Sequence, residues 1–388
     1  MKTSSFYGRL ESLRGLAALS VIFYHALSVF RVPGIYGEPP QTFSSYEKVQ
    51  GQIIPILFCL FNGPAAVTLF FVLSGFVLCL ASDRMYEQFP FFWIRRGLRI
   101  LPAYGVSLLL MYGFLKLVYH PQLFPQASEW FNKHSTRPTS LMDVFDHLLF
   151  RAHLLNPPTW TQKIEWFASL LFPFLAILFH FRKPFIDLGI LIFLLWVSYH
   201  LLDVPYLNDQ NVIVFKFLYL FWLGCLVVRW KKWILLGQNK FVSLALAMGA
   251  LLMFLISRSA LPPSEFIVTL VEGISSAILI AALVTFPQAK ICAFLDGRAC
   301  RFLGRVSYSV YLLHFMILYF CATLLMRWVP EKLWLLYPLP FWALLAGMVF
   351  SLTLPLAAVS FWYVEAPCIE WGKKFLKRQK RSYPICEN

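Results

Sequence analysis

The sequence predicts an all-α integral membrane protein with about ten transmembrane helices and both termini in the cytoplasm. Hydrophobic residues make up 59% of its 388 residues and charged residues only 14%, whereas about 25% of the residues in a soluble domain are charged. This composition excludes a soluble globular protein. The number of helices follows from the apolar segments, and their orientation follows from the basic residues.

Ten apolar segments have roughly the 17 to 25 residues that a helix needs to cross a bilayer. They lie near residues 12–31, 64–82, 101–119, 166–181, 185–202, 212–229, 241–257, 266–286, 309–327 and 342–364. Residues 53–61 are also apolar, but Asn62, Gly63 and Pro64 separate them from the second segment. We therefore expect residues 53–61 to form a re-entrant or interfacial piece.

The distribution of lysine and arginine tests this assignment independently, because these residues accumulate in cytoplasmic loops. With a cytoplasmic N-terminus and ten helices, 23 of the 34 basic residues fall on the cytoplasmic side and 11 on the other. Membrane orientation thus explains the net charge of +15, and no nucleic-acid partner is predicted. We expect a single membrane domain over residues 1–374 and a basic cytoplasmic tail over 375–388 that rests on anionic lipid headgroups.

The longest polar interval, residues 120–165, is predicted to lie on the outer side. Within it, SLMDVFDHLLFRAHLL is typical of a short amphipathic helix capped by Ser140. The interval also contains four histidines without ligand spacing, which we expect to be solvated or interfacial: His120, His134, His147 and His153. The eight cysteines form no CxxC pair, so no metal site is predicted.

The first apolar segment carries two ionisable residues, Arg14 and His25, eleven positions apart. Eleven helical steps of about 100° place both side chains on one face, ~16 Å apart along the axis. Ionisable groups at membrane depth usually face the bundle interior or a wet cavity. We therefore expect both residues to line one interior cavity open to the cytoplasm. Alternatively, Arg14 extends to lipid headgroups and His25 only bonds a neighbouring helix.

A cluster of arginines precedes the third apolar segment. Arg95, Arg96 and Arg99 follow three aromatic residues at 91–93, and guanidinium groups bind phosphates in a bidentate manner. This combination suits a nucleotide-bearing donor. It is equally typical of positive-inside anchoring with an aromatic belt.

A lone acid, Glu165, stands before the fourth apolar segment between Trp160 and Trp166. At the predicted outer boundary its carboxylate could orient a histidine or contact an acceptor hydroxyl. It could also be a helix-start acid that faces water and interacts with the helix dipole.

Six motifs occur in the same order as in a known family. They are Arg14 with His25 (R-x10-H), FFVLSGFVL at 70–78, RRGLRILPAY at 95–104, NPPTWTQKIEWFASLLFP at 156–173, FLGRVSYSVYLLH at 302–314 and EAPCIEWGKK at 365–374. Together they resemble the membrane acyltransferase-3 family, the bacterial carbohydrate O-acyltransferases. The chain departs from the family at Ala168 and Ser169, where a Phe-Tyr pair is usual.

The resemblance implies a membrane O-acyltransferase without a bound cofactor. It would transfer an acyl group, acetyl foremost, from cytoplasmic acyl-CoA to a hydroxyl of an extracytoplasmic or lipid-linked carbohydrate. The donor would bind to Arg14, Arg96 and Arg99, and catalysis would fall to His25 and Glu165. His25 would act either as a general base or as the carrier of the acyl group. Further candidates for supporting roles are Ser74, Tyr308, His314 and Glu272.

Two of these supporting residues also have simpler interpretations. His314, placed with Tyr308 near the cytoplasmic end of the ninth predicted helix, could merely bond between helices. Glu272 is an intramembrane acid that could pair with an arginine.

A transporter or flippase for an anionic or acylated solute is the alternative function, since intramembrane Arg, His and Glu also form relays. The absence of duplicated halves with broken helices argues against alternating access. Either function places the protein in the cell membrane, the inner or plasma membrane of a bacterium.

Overall fold

The computed structural model describes residues 3–31, 45–80, 89–119, 122–135, 139–152, 155–180, 183–202, 213–235, 239–287 and 289–382. Within these ranges the chain is helical, with no β-strand. The α-helices are α1 (Thr3–Ser28), α2 (Ser45–Leu60), α3 (Gly63–Leu80), α4 (Phe89–Leu117), α5 (Glu129–Ser135), α6 (Leu141–Leu148), α7 (Trp160–His180), α8 (Pro184–Leu202), α9 (Ile213–Ile234), α10 (Lys240–Ala260), α11 (Glu265–Thr285), α12 (Arg298–Trp328), α13 (Glu331–Leu336), α14 (Pro338–Ser360) and α15 (Ala366–Ser382). Pro157–Thr159 and Lys290–Asp296 form 3₁₀ segments, and Phe361–Glu365 forms a π-helical segment.

The chain is a multi-pass membrane protein. Eight helical stretches of the described residues are long and apolar enough to cross a bilayer: Gln52–Leu80, Phe91–Leu117, Pro184–Leu201, Ile213–Lys231, Lys240–Ala260, Glu265–Thr285, Arg298–Trp328 and Pro338–Phe375. Each of the ten predicted segments coincides with a long helix. However, α1 and α7 are not among the eight. The count of ten and the side of each terminus are not confirmed.

Four helices begin at least six residues earlier than the apolar segments predict, and one of them is α1, which begins at Thr3 rather than near 12. The helix α4 begins at Phe89 rather than near 101, α7 at Trp160 rather than near 166, and α12 at Arg298 rather than near 309. The predicted starts were wrong because they followed the first uninterrupted apolar run, whereas these helices extend through polar residues. The residues of the arginine and glutamate motifs therefore lie on helices instead of in the connections before them.

The helix α1 packs closely along α12 through two glycines. A Cβ atom on Gly15 would lie 2.6 Å from the backbone nitrogen of Gly304, and one on Gly304 would collide with the carbonyl oxygen of Glu11. Small residues of this kind let two membrane helices approach backbone to backbone. The crossing brings the middle of α12 against the stripe of α1 that carries the ionisable residues.

The helix α1 also separates the two hydrophobic clusters of the bundle. Its residues Ala18, Ile22 and Ala26 belong to a cluster with α12 and α14, whereas Ala17 and Val21 belong to a cluster with α3, α9 and α11. Arg14 and His25 share the stripe between these two sets and are half-buried. The polar groups of α1 therefore lie inside the bundle, at the boundary of two apolar cores.

The interruption between α2 and α3 is stabilised by Asn62. Its side-chain oxygen accepts a hydrogen bond from the backbone N–H of Ala65 at 3.1 Å, and its amide nitrogen donates to the carbonyl of Phe254 at 3.0 Å and to the Ser257 hydroxyl at 3.1 Å. The predicted interruption is confirmed at Phe61 and Asn62, whereas Gly63 and Pro64 already belong to α3. Further along α3, Gly75 meets the backbone of α9 directly, because a Cβ atom there would collide with the carbonyl of Phe221.

The short helix α6 has the predicted Ser140 cap. The Ser140 hydroxyl accepts from the backbone N–H of Asp143 at 3.2 Å, and the Asp143 carboxylate accepts from the backbone N–H of Ser140 at 2.6 Å, which forms a capping box.

The residue before α5 is bonded to the end of α1, since the Ser128 hydroxyl donates to the carbonyl of Ser28 at 2.5 Å. This tie holds α5 beside the last turn of α1.

The first turns of α1 are anchored by an ion pair. The buried Arg9 guanidinium donates to Asp296 at 3.0 and 2.6 Å, and Arg301 donates to the same carboxylate at 2.9 Å. Asp296 ends the 3₁₀ segment before α12. The hydrogen bonds from Arg9 and then Arg301 hold the pKa of the Asp296 carboxyl below its ordinary value.

Candidate active site

The central contact of the site joins two histidines from α1 and α12. The Nδ1 atom of His25 lies 2.9 Å from Nε2 of His314, and Nδ1 of His314 lies 2.7 Å from the carbonyl oxygen of Tyr311. A carbonyl only accepts, so Nδ1 of His314 carries a proton and Nε2 of the neutral ring is an acceptor. Nδ1–H of His25 therefore donates to it. The hydrogen-bond network thus assigns the lone pair of His25 to Nε2.

A cavity of about 220 Å³ opens beside His25. Most of its walls are aromatic or proline side chains, and its lining residues are Val21, Tyr24, His25, Gly63, Pro64, Val67, Trp130, Pro157, Pro158, Trp160, Tyr311 and Phe315. Its volume is below the roughly 300 to 1,000 Å³ of pockets for drug-sized ligands. The cavity therefore has room for the reacting part of a substrate and not for a large molecule.

The cavity wall opposite α1 comes from the NPPTW stretch, which is docked on α12. Asn156 donates from its side chain to the carbonyl of Leu312 at 2.9 Å. The Tyr311 hydroxyl donates to the carbonyl of Pro158 at 3.0 Å, and the Thr161 hydroxyl donates to the Tyr311 oxygen at 3.1 Å. These bonds fix two consecutive prolines against the turn of α12 that holds His314.

The predicted arginines meet at the other end of the α1 stripe. Arg96 of α4 donates to the Glu165 carboxylate of α7 at 3.0 Å and to the Ser169 hydroxyl at 3.0 Å. Arg14 interacts electrostatically with Arg99 and with Glu165. Within the described ranges, neither Arg14 nor Arg99 forms a direct ion pair or hydrogen bond of its own with another side chain. The structure therefore brings Arg14, Arg96 and Arg99 together in one cluster.

The cluster contains a second acid that the sequence reasoning did not single out. Glu365 ends the π-helical segment between α14 and α15 and is 5% exposed. It accepts a hydrogen bond from the Ser309 hydroxyl at 3.2 Å and interacts electrostatically with Arg14 and Arg99. π-Helical turns frequently mark functional sites. The family motif EAPCIEWGKK at 365–374, which begins with Glu365, was the one sequence signal that pointed to this residue.

Glu165 lies with the arginines, and its place at the outer boundary stays a prediction. It is five residues into α7, and Trp160, the first residue of that helix, lines the His25 cavity. Because α7 begins six residues before the predicted start, Glu165 lies in its second turn, about 7.5 Å along the helix from Trp160. Neither Glu165 nor Arg14 lines that cavity. The expectation that Arg14 and His25 share one cavity is therefore not borne out for the cavity beside His25.

Three of the predicted supporting residues, Tyr308, His314 and Ser74, lie at different positions in the bundle. Tyr308 donates its hydroxyl to the carbonyl of Ile100 at 2.8 Å, which ties α12 to α4. His314 is fully buried near the middle of α12 and not near its end, because α12 starts earlier than predicted. Ser74 is half-buried on α3.

Glu272 forms a separate buried network on α11. Its carboxylate accepts from the Arg258 guanidinium at 3.2 Å, from the Ser257 hydroxyl at 2.9 Å and from the Thr68 hydroxyl at 3.0 Å. The interpretation that Glu272 pairs with an arginine is confirmed. Arg258 also binds Glu265 through two bonds of 3.0 and 2.9 Å.

The expectation of solvated outer histidines is wrong for His147. This side chain is 1% exposed. Its Nδ1 accepts from the backbone N–H of Leu155 at 3.3 Å, so its Nε2–H donates to Thr159, whose oxygen lies 2.6 Å away. The residue closes the loop before the NPPTW stretch. His120 and His153 lie outside the described residues, as does the side chain of His134.

The comparisons with known proteins agree with this arrangement. A family model described as an acyltransferase domain, that of the acyltransferase-3 family, matches residues 7–360. A protein of Acidianus two-tailed virus that is named as an acetyltransferase, ORF330, is 24% identical over 326 residues, which cover 80% of this chain and 82% of the viral protein. No solved structure matches the chain. Since the family match spans most of the chain, this protein belongs to the acyltransferase-3 family.

Proposed function

We propose that this acyltransferase moves an acyl group, acetyl foremost, from cytoplasmic acyl-CoA to a hydroxyl of an extracytoplasmic or lipid-linked carbohydrate. One observation carries the proposal. The continuous helix α1 holds Arg14 in the arginine cluster and His25 at the aromatic cavity, ~16 Å apart along its axis. This arrangement supports a phosphate-binding site and a reaction site that are held at a fixed separation.

The arginine cluster suits the phosphates of coenzyme A. Its three guanidiniums face two carboxylates, Glu165 and Glu365, so the formal charge of the cluster is +1. Arg14 and Arg99 have no direct ion pair among the described side chains and so retain their donors for a phosphate. Glu165 and Ser169 hold Arg96 in place. At Ser169 the chain departs from the family pattern, yet the hydroxyl contributes to the cluster.

The spacing matches the donor. The pantetheine arm has about twelve bonds from pyrophosphate to sulfur, which equals about four residues of extended chain and a reach of about 14 Å. The thioester carbonyl lies one bond further. Phosphates held near Arg14 would therefore bring the acyl carbon to the level of His25.

The cavity beside His25 suits a sugar hydroxyl. Flat aromatic faces, such as those of Trp130 and Trp160, pack against the apolar face of a sugar ring. The small cavity volume admits the ring that is acylated and leaves the rest of a glycan or a lipid carrier outside. The lining from the α4–α7 connection is on the predicted outer side, opposite the arginines.

The chemistry follows from the assigned tautomer. Nε2 of His25 accepts the proton of the acceptor hydroxyl while the oxygen attacks the thioester carbonyl. The C–S bond then breaks, and the leaving thiolate of coenzyme A takes up the proton. If an acyl-histidine forms instead, the same Nε2 atom is the nucleophile.

The test uses the purified protein in lipid nanodiscs with ¹⁴C-labelled acetyl-CoA. The acceptor is a glycolipid extract from the organism that encodes the protein. We expect label to move to the extract. His25→Gln should lower this transfer at least about 100-fold, the lower end of general base catalysis. His200→Gln is the matched control, since it changes an exposed histidine of α8. Mass spectrometry of glycans from a deletion strain identifies the acceptor and the acyl group together.

Two results would overturn the proposal. Wild-type transfer by His25→Gln, at matched protein level, would reduce His25 to a structural residue. Uptake of an anionic solute without any acyl transfer would favour the transporter.

A further inference from the structure

We propose that His314 is a positioning residue that fixes the reactive tautomer of His25. This inference rests on the proposed function, because it assumes that Nε2 of His25 takes part in the reaction. It goes beyond an interhelical bond, since it assigns His314 a measurable effect on turnover.

The geometry of the two rings is that of a directed N–H···N bond. The rings are nearly parallel, at 10°, with centroids 5.1 Å apart and the two nitrogens 2.9 Å apart. The centroid distance is close to the N–N distance plus the two ring radii, so the rings lie edge to edge and not face to face. A hydrogen placed on Nδ1 of His25 therefore points at the lone pair of His314.

His314 itself has one orientation. Its side chain is fully buried, and its Nδ1–H donates to the carbonyl of Tyr311, three residues earlier on the same helix. Helix α12 is held at this turn by the bond from Asn156 to the carbonyl of Leu312. Because the ring can neither rotate nor exchange its two nitrogens without losing a bond, it offers His25 an acceptor and never a donor.

His25 is likewise held in place. Its ring stacks on Trp130 at 5.5 Å and 26°, and the edge of Phe315 meets it at 5.5 Å and 86°. With Nδ1–H donated to His314, the lone pair of the neutral ring lies on Nε2, and the His25 side chain lines the cavity. Without that acceptor, both neutral tautomers become populated, and a ring that carries its proton on Nε2 has no lone pair there with which to take the proton of the acceptor hydroxyl.

A neutral partner has a second consequence for the reaction. In the familiar catalytic triads a carboxylate orients the histidine. A buried carboxylate is costly in the middle of a membrane, whereas the His25–His314 pair carries no charge at rest. During transfer, the imidazolium that forms on His25 donates a stronger, charge-assisted hydrogen bond to His314.

The experiment compares two substitutions of His314 with acetyl-CoA and the acceptor extract. His314→Leu removes the acceptor, whereas His314→Gln keeps it, because the amide oxygen can accept from His25 and the amide nitrogen can donate to Tyr311. We expect His314→Leu to lower kcat about 100-fold with the KM for acetyl-CoA unchanged, and His314→Gln to stay within about fivefold of wild type. Titration calorimetry with acetyl-CoA shows whether each variant still binds the donor and is therefore folded.

The outcomes separate this inference from the proposed function. Wild-type turnover by His314→Leu, while His25→Gln is inactive, would overturn the positioning role and leave the proposed function intact. Equal losses in both His314 variants would also overturn the positioning role. If His314→Leu does not fold, His314→Gln decides alone, and a loss of more than about fivefold would refute the inference.

Discussion

The ion pair between Arg96 and Glu165 allows structural and binding roles to be separated. Replacement of Arg96 by Met leaves the Glu165 carboxylate, whose side chain is only 23% exposed, without its partner at 3.0 Å. Removal of one partner of a buried pair costs about 3 to 5 kcal/mol. With the lower value, because both side chains retain some exposure, and about 2 °C per kcal/mol for a long chain, the unfolding midpoint should fall by about 6 °C.

The double variant Arg96→Met/Glu165→Gln should recover most of that loss, because no unpaired charge remains. Its affinity for acetyl-CoA should not recover. A hydrogen bond to a charged group contributes about 1.5 to 3 kcal/mol, so both variants should bind the donor about 10-fold to 100-fold more weakly than wild type.

Thermal unfolding followed by tryptophan fluorescence and titration calorimetry with acetyl-CoA measure the two effects separately. The control is Arg305→Met, which removes an exposed arginine of α12. Recovery of donor affinity in the double variant would refute the assignment of Arg96 to the donor site. An unchanged midpoint in the single variant would show that the pair does not stabilise the fold.

Three further predictions concern stability, and thermal unfolding measures each. Gly304→Ala should destabilise the α1–α12 crossing by about 1 to 3 kcal/mol, whereas Gly347→Ala, with open space around the site of the added Cβ, should not; equal midpoints would contradict close packing at Gly304. Asp296→Asn should lower the midpoint near pH 7, and the difference should begin to shrink as pH falls below about 3.9, the ordinary carboxyl value, and vanish only below the lowered pKa of the folded state, where the pair with Arg9 is lost on protonation; a difference that does not shrink as pH falls below about 3.9 would contradict this. His147→Leu should cost about 1 to 3 kcal/mol through the unsatisfied backbone and hydroxyl groups that remain, and an unchanged midpoint would show that water replaces the histidine there.

The periodicity of α1 predicted more of the site than any other feature. The eleven-residue spacing placed Arg14 and His25 on one face, and the structure puts both on the stripe between two apolar cores. The bond from His25 to His314 could not be foreseen, because it joins residues 289 positions apart. Such a contact depends on how α1 and α12 cross, and spacing within one helix carries no information about that crossing.

The unexpected surroundings of Glu165 and His147 have different physical causes. Hydropathy marks where the chain becomes apolar, whereas a helix begins where its backbone is first capped or paired. Glu165 therefore lies in the second turn of α7 and reaches Arg96. His147 looked polar and loop-borne in the sequence, but three hydrogen-bonding partners compensate for its burial: the Thr159 hydroxyl, the backbone N–H of Leu155 and the Tyr104 hydroxyl on its own carbonyl.

The π-helical segment Phe361–Glu365 lets the site tolerate a change in the length of the chain. A π turn holds one residue more than an α turn in the same stretch of helix. Deletion of the exposed Tyr363 would therefore let α14 and α15 join in one regular helix, while the residues beyond the deletion keep nearly the same orientation. Glu365 would still face Ser309. Evolution or engineering could thus gain or lose a single codon here without removing this anion from the arginine cluster.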